Sequence, residues 1–130
     1  MKITNMFSSR FEPLIRKYPS HAEALHRVAD YVALRESKGK SLSSLQLTPE
    51  RLRVISNINN NTLLAHLIIV LLSEKIFDRY IVVNSPAGGG IAEFNSIADV
   101  PDCIHDTIRD IDMPVTQDNL KTLYRVHELR

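Results

Sequence analysis

Few residues in this chain have the types and spacing that chemistry requires. The most metal-like text is Cys103-Ile104-His105, but the chain has a single cysteine, and a zinc site needs about four ligands, usually in spaced pairs. We therefore interpret Cys103 as a small buried thiol beside a surface histidine. His21 and His26 are about 140° apart around a helix and do not share a face. The sequence predicts no metal site.

Catalytic motifs are equally scarce. The sequence contains no nucleophile-elbow motif, no phosphate-binding loop and no protein-kinase motif. Gly88-Gly89-Gly90 is followed by no Lys-Ser/Thr pair and no helix start, so it predicts a flexible turn. The five aspartates between Asp99 and Asp112 lack the spacing of an EF-hand, and we interpret them as a solvated acidic surface that could meet a basic partner. We expect no enzyme activity and no cofactor.

Composition indicates one globular domain. The 130 residues are 44% hydrophobic and 24% charged, which excludes intrinsic disorder. A single cysteine forms no internal disulfide, which favours a reducing compartment. The apolar run Leu63–Leu72 is half of the about 20 residues that a membrane span needs, and Met1–Phe7 lacks the apolar core of a signal peptide. We expect a cytoplasmic protein with no membrane segment.

Charge is unevenly distributed along the chain. Residues 1–60 carry a net charge of +5, and residues 61–130 carry −4. A basic half could approach nucleic acid or an acidic partner. A chance imbalance on a solvated surface explains the same numbers, and both readings stay open.

Helix signals set the predicted elements. Ser20-His21-Ala22-Glu23 has the pattern of a capping box, and a helix stopped by Gly39 should follow it. Thr48-Pro49-Glu50 is a second helix start. The asparagine-rich stretch 57–61 should end that helix, and one of its asparagines should cap a third helix, Thr62–Lys75.

A period of two then replaces the helical period. Phe77–Val83 and Ile91–Phe94 predict a hairpin, with its turn at Pro86–Gly90. In the tail we expect loops, a short helical turn after Thr116, and a closing strand over Leu123–Val126. This order predicts an α+β winged helix-turn-helix domain over residues 20–95. Residues 1–19 would be an N-terminal helical arm, and 96–130 an irregular, ribbon-like C-terminal extension packed on the domain.

The stretch from Thr48 to about Val126 resembles bacterial winged-helix proteins in which a zinc-ribbon-like tail follows the wing. Where such proteins carry Cys-Pro-x-Cys-Gly, this chain has Ser85-Pro86-Ala87-Gly88-Gly89, and Asp106 and Arg109 stand at the second cysteine pair. The resemblance implies a cysteine-less ribbon held by packing instead of zinc. It also implies a setting among accessory components of antiphage defence operons, or among ordinary regulators.

The third helix should present one narrow polar stripe. At 100° per residue, four residues fall together on an otherwise apolar helix: Thr62, His66, Ile69 and Ser73. Base reading in the major groove uses Arg, Asn or Gln, and this stripe has none. We therefore expect the stripe to bind a protein partner or a second copy of the chain, which makes the protein a non-enzymatic adaptor or accessory subunit.

The alternative is a DNA-binding winged-helix regulator, which we would expect to be dimeric. Amides and side chains at the start of the third helix could contact phosphates, together with arginines on the preceding helix and on the wing. The candidate residues are Arg51, Arg53, Asn59, Asn60, Asn61, Thr62 and Arg79. Solvated arginines and helix-capping asparagines remain the competing interpretation.

Overall fold

The structure is a computed structural model that describes residues 7–127. Four α-helices occur in this range: α1 (Phe11–Lys17), α2 (Ala22–Ser37), α3 (Pro49–Ser56) and α4 (Asn61–Ser73). Five strands follow them: β1 (Phe77–Asn84), β2 (Gly90–Phe94), β3 (Cys103–Asp106), β4 (Ile111–Pro114) and β5 (Leu120–Val126). The strands form a three-stranded sheet in the order β2-β1-β5 and a separate β3-β4 hairpin. The fold class is α+β, as the sequence predicts.

The chain divides into two compact units. The first contains the described residues up to Asp78, including all four helices, and the described residues from Arg125 onward. The second spans Arg79–Tyr124 and contains strands, turns and short 3₁₀ segments. Each unit has its own buried apolar residues.

The start of α2 differs from the predicted capping box. Pro19–His21 form a 3₁₀ turn that runs directly into the helix, so the N-cap is His21, which makes no side-chain cap bond. The proline fixes the backbone one residue earlier than the Ser20 cap would need. The helix ends as expected, at Ser37, with Gly39 at a φ of +71°.

Helix α3 begins and ends where the sequence indicates, whereas α4 begins one residue earlier and ends two residues earlier than the predicted Thr62–Lys75. The Thr48 hydroxyl accepts a hydrogen bond from the Arg51 amide at 3.0 Å, and Pro49 occupies the first turn of α3. Asn57 ends α3 in the left-handed conformation, and the Asn60 side chain accepts from the Leu63 amide to cap α4. Helices α3 and α4 meet at 101°, within the about 90–120° of helix-turn-helix pairs.

One side of α4 is the centre of the first unit. Leu64, Leu67, Val70 and Leu71 are buried on it. The unit's other buried apolar side chains include Phe11, Leu14, Leu25, Val28, Val32, Leu47, Leu52, Ile76 and Phe77. At the end of α4, Glu74 accepts hydrogen bonds from Lys17 Nζ at 2.8 Å and the Tyr18 hydroxyl at 2.7 Å. The segment around α1 is thereby tied to α4.

The second unit contains the predicted hairpin and one that was not predicted. Strand β1 pairs antiparallel with β2, and the register shifts between Val83 and Asn84. Strands β3 and β4 also pair antiparallel, where the sequence indicated irregular loops. The helical turn after Thr116 is present and carries a capping box with Asn119. The closing strand β5 is longer than predicted because it begins at Leu120.

Within residues 7–127, no single helix has both the length and the apolar character needed to cross a membrane. The bent pair α3 and α4 meets that test only when its two helices are taken together, and then by length and composition alone.

We predict that Thr48→Ala lowers the free energy of unfolding by about 1 kcal/mol, because the Arg51 amide loses its capping oxygen. Urea unfolding followed by circular dichroism would measure the change. Thr107→Ala is the control, since Thr107 is exposed and lies outside the helices. Equal stabilities of the two variants would show that the cap does not stabilise α3.

Candidate functional site

The exposed face of α4 contains all four residues of the predicted stripe. Thr62, His66, Ile69 and Ser73 are each exposed, and 59% of Ile69 is accessible to solvent. Helix α4 has no charged residue between Asn61 and Ser73. The stripe is therefore a solvent-facing surface without Asp, Glu, Lys or Arg, and it has an isoleucine in its middle.

The exposed face of α4 is wider than the four-residue stripe predicted from the sequence. Leu63 is 49% exposed and Ala65 is also exposed, so the open arc extends to both sides of the stripe. His66 is not isolated either, because its ring lies edge-on to that of His21, with 6.3 Å between centroids. His21 carried no signal for this role, since the contact joins the start of α2 to α4.

The turn before α4 is internally bonded. The Arg53 guanidinium donates to the Asn59 carbonyl at 3.3 Å and to the Asn61 side-chain oxygen. Asn60 is occupied by its capping bond to the Leu63 amide at 3.1 Å. Three of the candidate DNA-binding side chains, Arg53, Asn60 and Asn61, thus form hydrogen bonds within the turn. These bonds leave fewer of their donors and acceptors for DNA.

The other candidate DNA contacts are exposed. Arg51 lies on α3 with its guanidinium carbon 5.7 Å from the centre of the Tyr31 ring. Arg79 is exposed on β1 and belongs to the second unit. Of the seven candidates, the first unit brings together six, in the segment 51–62.

Three of the four positions at which the resemblance would place zinc ligands, Ser85, Asp106 and Arg109, form a hydrogen-bonded cluster. Asp106 is fully buried, and its Oδ2 accepts from the Ser85 hydroxyl and from Arg109 Nε, each at 2.6 Å. Its Oδ1 accepts from the Ile108 and Arg109 amides at 2.9 and 3.1 Å. Ser85 Oγ in turn accepts from the Ala87 amide. The resemblance implied a ribbon held by packing alone. Instead, hydrogen bonds through Asp106 join the turn at Ser85 to the turn at Arg109.

This cluster does not fit a zinc ion. Its side chains supply a hydroxyl, one carboxylate and a guanidinium, and Gly88 supplies no side-chain donor atom. Zinc prefers thiolate and imidazole ligands, and the guanidinium cation of Arg109 cannot coordinate a metal cation. The arrangement is structural: a salt bridge and a serine connect the turn 85–89 to the turn 106–109.

The surroundings of Asp106 keep it ionised. Burial opposes the charge, but hydrogen bonds from Ser85, from the Arg109 side chain and from two amides outweigh it. The pKa of Asp106 therefore lies well below the ordinary value for aspartate. Four of the five aspartates in this region are exposed as predicted, and the assignment of Asp106 to the solvated surface was wrong.

The predicted arrangement at Cys103 and His105 is half right. His105 is exposed, but Cys103 is exposed as well, and no buried thiol exists there. His105 Nδ1 and Nε2 contact Asp112 and Asp110, each at 2.9 Å, and these bonds raise the pKa of His105. In the part of the chain that the structure describes, no group of three or more His, Cys, Asp or Glu residues could hold a metal ion.

We predict that Asp106→Asn lowers the melting temperature by about 5 °C or more at pH 7, because Arg109 loses its carboxylate partner. A carboxyl group whose pKa is depressed by folding stabilises the protein above its unfolded pKa, and that contribution fades as pH falls below about 4. The difference between wild type and Asp106→Asn should therefore shrink in melts at pH 3. Asp102→Asn, at an exposed position, should match wild type; an equal loss in both variants would contradict the role of the cluster.

A scan against protein-family models, a search of curated proteins and a search of solved structures found no match to this chain. Its function has to be argued from its own residues.

Proposed function

We propose that the protein is a non-enzymatic adaptor that binds a protein, either a separate partner or a second copy of itself, through the exposed face of α4. The contact residues are Thr62, His66, Ile69 and Ser73. The observation that carries the proposal is Ile69, which is 59% exposed at the centre of a helix face without charge.

The energetics favour a protein as the occupant of this face. Burying an exposed isoleucine contributes roughly 1.5–3 kcal/mol, and Leu63, which is 49% exposed, adds to the apolar area. The helix has no Asp, Glu, Lys or Arg side chain that would have to lose its water shell, a cost that weakens many contacts. Thr62, His66 and Ser73 can supply the polar rim that protein interfaces usually have.

We further propose a winged-helix arrangement in a bacterial antiphage defence setting. The 101° angle between α3 and α4, a turn of four residues, and a hairpin that follows α4 support the winged-helix interpretation. The Ser85–Asp106–Arg109 cluster lies at the positions that the resemblance to ribbon-tailed proteins identifies, which supports that resemblance. The defence setting and a cytoplasmic location come from the resemblance and composition, and belong to the proposal.

DNA binding is the alternative function, favoured by the helix-turn-helix angle and by exposed Arg51. Two observations give it less support than the adaptor proposal. Arg53 is engaged by Asn59 and Asn61, which reduces its capacity to reach phosphates. Beyond Thr62, the exposed face of α4 offers none of the arginine, asparagine or glutamine side chains that read bases.

We predict that Ile69→Asp abolishes self-association in sedimentation velocity, or co-purification with the product of an adjacent gene, while the domain remains folded. A surface substitution normally changes stability by less than about 0.5 kcal/mol. Ile97→Asp is the matched control, because Ile97 is 61% exposed and lies in the other unit. A wild type that is monomeric and has no co-purifying neighbour would refute the adaptor proposal, and so would normal association of Ile69→Asp.

The same proposal predicts no salt-sensitive binding to mixed-sequence duplex DNA without terminal phosphates, measured by fluorescence anisotropy at two salt concentrations. Proteins that bind DNA through phosphates lose affinity steeply as salt rises. Such a loss, together with weaker binding of Arg51→Ala/Arg53→Ala to all sequences alike, would establish the regulator function instead.

A further inference from the structure

A polar cleft between α2 and α3 is the strongest unassigned feature of the first unit. Its volume is about 410 Å³, within the range of small-molecule sites. The lining side chains come from α2, from the segment that leads into α3, and from the first turn of α3: Tyr31, Arg35, Ser44, Leu45, Gln46, Leu47, Thr48 and Arg51. The cleft does not involve α4.

The lining is cationic. Arg35 and Arg51 both line the cleft, and no aspartate or glutamate does. The nearest acids in sequence, Glu36 and Glu50, are not among the lining residues. Within residues 7–127, neither arginine forms a salt bridge, so two positive charges share one cavity without a counter-ion.

Arg35 has an unmet donor. Its Nε is buried and has no hydrogen-bond partner among the described residues. More than about 90% of buried polar groups in proteins have a partner, and leaving one unpaired is costly. Because Arg35 also lines the cleft, a small rotation of its side chain would bring this unpaired donor to an acceptor bound there.

The Arg51 side chain is held by an aromatic ring and has no carboxylate partner among the described residues. Its guanidinium lies 5.7 Å from the centre of the Tyr31 ring, a cation–π distance that positions the planar group without using its N–H donors. Its backbone amide is bonded to Thr48, which fixes the first turn of α3 beside the cleft. Both arginines can therefore offer their planar N–H forks to an anion.

We propose that this cleft binds a phosphomonoester, such as the phosphate of a nucleoside monophosphate or the terminal 5′ phosphate of a nucleic-acid strand. A phosphomonoester carries close to two negative charges at neutral pH, which matches two guanidinium groups. Arginine binds phosphate through paired hydrogen bonds, and Gln46, another lining residue, has a side-chain amide that can donate one more. The inference does not depend on the adaptor function, because it uses no residue of α4.

The test is calorimetric titration of the full chain with AMP, with adenosine as the ligand that lacks the phosphate. We expect AMP to bind and adenosine not to. Arg51→Ala and Arg35→Met should each weaken AMP binding roughly tenfold or more, the effect of losing one charge-assisted contact. Arg27→Ala should bind AMP like wild type, because Arg27 lies on the same helix, pairs with Glu23 and does not line the cleft.

Two dinucleotides, one with a 5′ phosphate and one with a 5′ hydroxyl, identify the source of the phosphate. If only the 5′-phosphorylated dinucleotide binds, the site takes strand ends; if AMP binds as tightly, it takes free nucleotides. Failure of both phosphorylated ligands to bind overturns the proposal, and so does undiminished binding by Arg51→Ala. If Arg35→Met fails to fold, Arg51→Ala alone tests the proposal, because Arg51 is exposed and its substitution should leave the fold intact. Ile69→Asp should bind AMP normally, which separates this result from the adaptor test.

Discussion

The burial of one side of α4 is the interaction on which the first unit depends. Leu64, Leu67, Val70 and Leu71 are covered, and each such side chain contributes roughly 1.5–3 kcal/mol when it leaves water. The opposite side of the same helix stays open and carries Leu63, Ala65 and Ile69 beside Thr62, His66 and Ser73. A helix that is hydrophobic all round normally lies in a core. The exposed isoleucine on α4 is therefore the observation on which the proposed protein contact rests.

The second unit relies on a different interaction. Its buried apolar set is small, and a fully buried carboxylate connects its two turns through Ser85 and Arg109. Because Asp106 is satisfied by two side chains and two amides, its burial costs less than that of an unpaired charge would. Hydrogen bonds of this kind need no metal, whereas a zinc cluster at the same positions would couple folding to metal supply.

Local signals in the sequence predicted what local geometry controls. The Thr48 cap, the end of α3 in the asparagine-rich stretch 57–61, an asparagine cap for α4 and the stripe on α4 each follow from residues a few positions apart. The β3–β4 hairpin was missed because its strands are short, mostly exposed and rich in aspartate, which disfavours strands. The cleft was missed because its residues come from three segments that only tertiary packing brings together. Burial of Asp106 could not be predicted because its partner Ser85 is 21 residues away.

Charge and apolar surface are separated within the first unit, and this separation bears on which ligands each surface can take. The cleft at Arg35 and Arg51 attracts anions through electrostatic forces that salt screens. The face at Ile69 has no charge, so a contact made there depends on removing apolar area from water, which salt does not weaken. A nucleic acid has little to gain from the second surface, since its backbone is uniformly anionic. A protein with an apolar patch gains from it directly, and for this reason we propose an adaptor ahead of a regulator.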